Sequence, residues 1–218
     1  MVPLVELDGP LPEADTGVRV GQGFPPDNTM VTAQKSLPVT DPRAHALRNR
    51  FHTAFVAEEL PVPVEAIAED LLGLHVEEGE IPCSGLLLPA DRLIVLRADE
   101  PPARQRFTLA HELGHWVCQV REGRPGAVYC RAADIAPGAD RLREREANVF
   151  AAELLMPEEA VQVESTIAAS AVDLAARFGV SEEAMTWRLY NLGLSKRRPD
   201  SASRDVQVAR KVASEDEA

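Results

Sequence analysis

The apolar pattern of this chain predicts an α+β fold, mainly helical, with a small β-sheet and a helix-turn-helix-like segment toward its C-terminus. Three observations carry that reading. Apolar residues recur at helical spacing over most of the stretch from Pro42 to Leu192. Two short apolar runs, Gly85–Leu88 and Arg92–Leu96, are separated by Pro89-Ala90-Asp91, the length and chemistry of a hairpin. Gly179-Val180-Ser181 then joins two short helical patterns. A length of 218 residues suits one domain with appendages, and 17 Pro and 13 Gly exclude a continuous fibrous or collagenous architecture.

Residues 1–40 scatter Gly9, Pro10, Pro12, Gly17, Gly21, Gly23, Pro25 and Pro26 among acids without a sustained period, which reads as a poorly ordered leader. The domain is expected over 41–194. Ala46, Leu47, Phe51, Ala54, Phe55 and Leu60 give a first helix that Pro61 and Pro63 stop. Pro63 suits the first turn of a second helix, with Val64, Ile67, Ala68, Leu71 and Leu72 on one face and Gly73 near its end. The hairpin follows, and its edge offers an extended substrate a strand to pair with. Arg104–Gln119 places Phe107, Ala110, Leu113, Gly114 and Val117 in helical phase, and Arg141–Met156 is a further strong helix stopped by Pro157. The loop of roughly twenty residues between them is long enough to suggest a functional role. Ala160–Ile167 is a short helix, and Ala171–Phe178 with Glu182–Leu192 forms the helix-turn-helix-like part of 171–194. Residues 195–218 are rich in charge and Ser and read as a solvated, disordered tail.

Composition narrows the function classes. With 23 basic and 35 acidic residues the formal charge is -12, which repels phosphate backbones at long range and makes nucleic acid a poor default partner. Met1–Asp15 contain no Lys or Arg ahead of an apolar stretch, so no secretory signal is expected. Apolar runs fall short of the roughly 18 residues of a membrane helix. The three cysteines, Cys83, Cys118 and Cys130, show no Cys-x-x-Cys pair. Neither a disulfide framework nor a zinc knuckle is suggested, and a reduced cytoplasmic setting is expected.

The chemistry concentrates at His111-Glu112-Leu113-Gly114-His115. Two imidazoles one helical turn apart point the same way and can share one Zn2+ at about 2.0–2.1 Å from each nitrogen. Glu112, rotated about 100° around the axis from His111, reaches a water in the open coordination position rather than the metal, as a general base must. Chance occurrence would leave two partly exposed histidines and a surface Glu; an amphipathic helix with compatible flanks argues against it.

A catalytic zinc needs a third protein ligand, and Glu144 and Glu146 are the candidates. Glu144 shares its face with Asn148, Ala151 and Leu155, and the Asn148 amide can hold the far nitrogen of a zinc histidine. Glu146 shares its face with Phe150 and Glu153 and has no such partner. Cys118 lies on the same helix as the histidines, but a lone Cys on an apolar face more often packs than ligates. His45, His52 and His75 lack ligand spacing, Tyr129 is a candidate oxyanion stabiliser or an ordinary loop residue, and Trp116 is core or cleft wall.

The block Arg104-Gln105-Arg106-Phe107-Thr108-Leu109-Ala110-His111-Glu112-Leu113-Gly114-His115, followed by Glu144-Arg145-Glu146-Ala147-Asn148-Val149-Phe150-Ala151-Ala152-Glu153-Leu154-Leu155-Met156-Pro157, resembles the ImmA/IrrE family of zinc metallopeptidases. The similarity extends more loosely over about Ala44–Leu194. It implies a zincin-like, specifically gluzincin-like, peptidase core with His111, His115 and Glu144 as zinc ligands and Glu112 as catalytic acid/base. It also implies a protein substrate, a cognate helix-turn-helix repressor whose cleavage switches on stress-response or mobile-element genes. The chain departs from the radiation-response branch in having no room after the helical segment for a large sensor domain, and its leader is atypical.

Two rivals come from other classes. A DNA-binding regulator would use Asp173–Leu192, but the would-be reading helix carries Glu182 and Glu183 against Arg188. A zinc-stabilised interaction module without catalysis would have no use for Glu112.

Overall fold

In the computed structural model the helix that carries His111 is the central element. The structure describes residues 39–55, 60–120, 129–130, 139–168 and 170–199, with backbone only for 129–130 and 139–141. These residues fall within one compact unit, Leu37–Ala218. The leader expected over 1–40 lies outside them except for its last two residues, as do the side chain of Tyr129, most of the loop before Glu144, and the tail from 200 onward.

In chain order the elements are α1 (Pro42–Phe55), α2 (Val64–Ala66, continued by a π-helical turn Ile67–Leu71), β1 (His75–Gly79), β2 (Gly85–Leu88), β3 (Leu93–Arg97) and α3 (Pro102–His115, continued by a π-helical turn Trp116–Val120). Then come β4 (Tyr129–Cys130), α4 (Ala139–Leu155), α5 (Glu158–Glu164), α6 (Ala171–Phe178) and α7 (Glu182–Asn191). The α+β class holds, with helices around a small mixed sheet.

The sheet order is β1-β3-β2-β4, with β1 parallel to β3 and β2 antiparallel to both β3 and β4. One face of the hairpin, Gly85, Leu87, Ile94 and Leu96, is buried and packs on α3. The hairpin is therefore interior to the sheet. The expected exposed edge between Leu86 and Leu96 is corrected: β1 and β4 cover both flanks, so strand addition there has no open ladder. Sequence gave no notice of β1. His75-Val76-Glu77-Glu78-Gly79 pairs along an outer strand of the sheet, where Glu77 and Glu78 stay exposed and no buried alternation develops.

Helix α3 is buried almost all round from Thr108 onward, because it lies between the sheet and α4. Its N-terminus uses Pro101 as cap and Pro102 as first residue, where the missing N–H costs nothing. Helix α4 packs on α3, and its Ala147, Phe150, Ala151, Leu154 and Leu155 are all buried. Each large apolar side chain so buried contributes roughly 1.5–3 kcal/mol. The two helices come close at Gly114, where a methyl would lie 2.9 Å from Ala147 Cα. Small residues at this crossing bring the His111 helix against the Glu144 helix.

At the C-terminal end, Ser170 caps α6 by accepting from Asp173 N–H at 3.2 Å, and Ser181 caps α7 by accepting from Ala184 N–H at 3.2 Å. Gly179 ends α6 at φ +63, the left-handed conformation that a β-carbon disfavours. Arg188 of α7 is 2% exposed. Its guanidinium pairs with Glu153 of α4 and donates to Met156 O at 2.9 Å and Val39 O at 2.7 Å. The helix-turn-helix-like segment is thus locked to the end of α4.

Cys118 is buried, whereas Cys83 is disulfide-bonded, contrary to the expectation of unbridged cysteines. Wide spacing along the chain conveys nothing about proximity after folding, so the count and spacing could not reveal it.

Candidate metal centre and its neighbours

The i, i+4 geometry of α3 stacks His111 and His115 with ring centroids 4.6 Å apart and Nε2 atoms 2.9 Å apart. Glu144 comes in from α4, its carboxylate 3.3 Å from His111 Nε2 and 3.2 Å from His115 Nε2. All three ligand atoms lie within 4.8 Å of one another. The histidines are buried, while the Glu144 side chain is 41% exposed and opens the site to one side.

The far side of each ring is held. His111 Nδ1–H donates to Asn148 Oδ1 at 3.1 Å, and His115 Nδ1–H donates to Gln119 Oε1 at 3.2 Å. With Nδ1 protonated, each Nε2 presents a lone pair to the shared centre. Two bare imidazole nitrogens and a carboxylate at these distances repel one another without a cation between them, and two nitrogens plus one oxygen is a zinc-type donor set. The residues fit a metal ion on this ground. When the imidazoles are instead protonated at both nitrogens, burial acts to raise the Glu144 carboxyl, but the hydrogen bonds and charges of His111 and His115 outweigh it and hold the group below the usual carboxylate range.

The structure places the remaining candidates as follows. Glu112 is 1% exposed, on α3 beside His111, with its carboxylate between α3 and the start of β2. Glu146 points elsewhere on α4, 3.9 Å from Arg43. Cys118 is buried without joining the metal group, and His45, His52 and His75 are likewise outside it. Trp116 is buried, with the Arg92 guanidinium 5.5 Å from its ring, as a cleft or core wall residue would be. Gln119 was not anticipated. Its signal was available, since His115-x-x-x-Gln119 repeats on one helix the spacing that brings a partner to its i+4 neighbour.

A His-x-x-x-His helix crossed by a second helix bearing Glu, over a small mixed sheet, defines a metallopeptidase-type centre. A family model for the IrrE N-terminal-like domain, Peptidase_M78, matches residues 73–190. The chain belongs to that family. Among solved structures, one described as a Mycobacterium tuberculosis transcriptional regulator aligns with a TM-score of 0.51 at 19% sequence identity, covering 72% of this chain and 48% of that one. This chain therefore spans about half the length of that structure, and the likeness is one of fold. No curated protein matches the chain. Among the described residues no helix is long and apolar enough to cross a membrane.

Proposed function

We propose that this protein is a zinc-dependent endopeptidase that hydrolyses a peptide bond in a protein substrate, a cognate helix-turn-helix transcriptional repressor, and thereby derepresses stress-response or mobile-element genes. The observation that carries the reading is the convergence of His111, His115 and Glu144 with Glu112 one residue from the first ligand. A zinc ion held by those three would polarise the scissile carbonyl and lower the pKa of a bound water. Glu112 would accept a proton from the attacking water and return it to the leaving amine nitrogen. Asn148 and Gln119 keep both imidazoles in the ligating tautomer.

The net charge of -12 favours a basic partner, and a DNA-binding repressor supplies a basic surface. Direct DNA reading by this chain is disfavoured because Arg188, the basic residue of α7, is buried against Glu153 while Glu182 and Glu183 are exposed. We assign the 171–194 segment to packing or to docking the repressor. A cytoplasmic setting follows from a DNA-bound substrate; the Cys83 disulfide, uncommon in that compartment, is the feature that runs against it.

The test is incubation of the zinc-loaded protein with the repressor encoded beside its gene, followed by mass spectrometry of the products. A defined cleavage that chelation abolishes and zinc restores is expected; an intact repressor under zinc loading rejects the substrate assignment.

A further inference from the structure

We propose that Gly85 is a positioning residue for Glu112: the missing side chain at the start of β2 is what leaves room for the Glu112 carboxylate between α3 and that strand. The proposal rests on the peptidase reading above. Gly85 is buried and is paired with Leu96 in the β2–β3 ladder, so its backbone is fixed. Its φ lies outside the positive range occupied by Gly73, Gly179 and Gly193, so backbone conformation does not demand glycine here. Space does. A methyl at this position would lie 2.5 Å from Thr108 Cγ2, 3.0 Å from Glu112 Oε1 and 3.3 Å from Glu112 Cγ.

Glycine inside a strand usually weakens it and often marks the close approach of another group. The approaching groups here are both on α3, one turn apart, and they differ in freedom. Thr108 is β-branched, hence stiff about χ1, and sits in a buried helix. Glu112 is long, and its carboxylate is the end of a flexible side chain. A β-carbon at 85 therefore meets one group that resists and one that yields, and the yielding group is the acid/base. The zinc ligands lie outside this contact, so metal binding is expected to survive the change.

The experiment compares Gly85→Ala, Thr108→Ser, the Gly85→Ala/Thr108→Ser double variant and Glu112→Gln in the zinc-loaded full chain. Thr108→Ser removes the stiff methyl and leaves the Glu112 contact as the remaining consequence of the alanine. The readouts are Tm, zinc affinity, kcat and KM for repressor cleavage, and the affinity for acetohydroxamic acid, a zinc chelator whose hydroxyl proton is accepted by a carboxylate beside the metal.

Gly85→Ala is expected to lower Tm and kcat together, with zinc affinity within about threefold of wild type. The double variant should regain Tm yet keep a depressed kcat at unchanged KM and bind acetohydroxamate roughly tenfold more weakly, the loss expected for one hydrogen bond to a charged group. Recovery of kcat and acetohydroxamate affinity along with Tm, or failure of both alanine-bearing variants to fold, assigns Gly85 to packing alone and overturns the proposal. Glu112→Gln separates the two levels. If that variant binds acetohydroxamate and cleaves as wild type does, the peptidase reading fails whatever Gly85 does.

Discussion

His111 Nδ1 lies 3.1 Å from Asn148 Oδ1, so the helix that supplies Glu144 to the metal group also fixes the ring of the first histidine. Two contacts from one helix, a turn apart, register α4 on α3 at the site itself. Gly114 against Ala147 allows the helices to come that close. His115 is held differently, by Gln119 of its own chain segment at 3.2 Å, so its orientation depends on the π-helical turn after α3 rather than on α4.

Glu144→Ala should abolish tight zinc binding, whereas Glu146→Ala should leave it intact. Glu144 is 3.2–3.3 Å from both Nε2 atoms, and Glu146 faces Arg43. The loss expected for Glu144→Ala exceeds roughly a hundredfold, since changes to groups that merely support ligands already cost about 10–100-fold. Metal content after equilibrium dialysis reads it directly, and retention by Glu144→Ala with loss by Glu146→Ala reverses the assignment.

Asn148→Ala and Gln119→Ala should each weaken zinc binding by about 10–100-fold without removing a ligand. Each leaves one imidazole free to rotate or change tautomer. Competition with a chelator of known affinity measures the effect, and wild-type affinity in both variants would show that neither amide orients its ring.

Glu112→Gln should bind zinc normally and lose roughly 10²–10⁴-fold in kcat, the usual contribution of a positioned acid/base. Its shape is kept and its proton affinity removed. Undiminished repressor cleavage by this variant would sink the mechanism.

The histidine pair was legible because a helical period of about 3.6 turns the i, i+4 spacing into a shared direction. The choice of Glu144 over Glu146 followed from the same arithmetic once Asn148 was considered. Gln119 obeys the same spacing from His115 but lies in the π-helical turn beyond the His-x-x-x-His motif. Strand β1 escaped because Glu77 and Glu78 are consecutive and both exposed, leaving no alternation to read. The hairpin itself was legible, but its place inside the sheet depended on β1 and β4, which lie outside its own residues. Gly85 could not be singled out, since its contact with Thr108 and Glu112 joins segments that only the folded chain brings together.

Gly114→Ala should destabilise the protein by about 1–3 kcal/mol, the range for overpacking a filled interior. The added methyl meets Ala147 backbone, 2.9 Å from Cα and 3.0 Å from O, which cannot swing aside as a side chain would. Relief by separating α3 from α4 would carry Glu144 away from the histidines. A lower Tm should therefore come with weaker zinc binding; a lower Tm with unchanged affinity would place the strain elsewhere along the helices.

Arg188→Met should cost about 3–5 kcal/mol, because it strands the Glu153 carboxylate in a buried site. Glu153 and Arg188 side chains are 4% and 2% exposed, so solvent cannot take over the lost partner. Burial already raises the Glu153 carboxyl above its ordinary value, against the opposing attraction of Arg188 and then Arg48. Without Arg188 the rise should be larger, and a carboxyl raised in the folded state favours folding when protonated. The deficit should therefore be small in acid and grow as pH rises through the folded-state pKa of Glu153. Glu153→Leu added to Arg188→Met should recover most of the loss, since an apolar pair of similar volume is often as stable as a buried ion pair. Thermal or urea unfolding of the single and double variants across a pH series measures all three effects. A single variant as stable as wild type at neutral pH would mean that the buried pair does not hold α7 on α4.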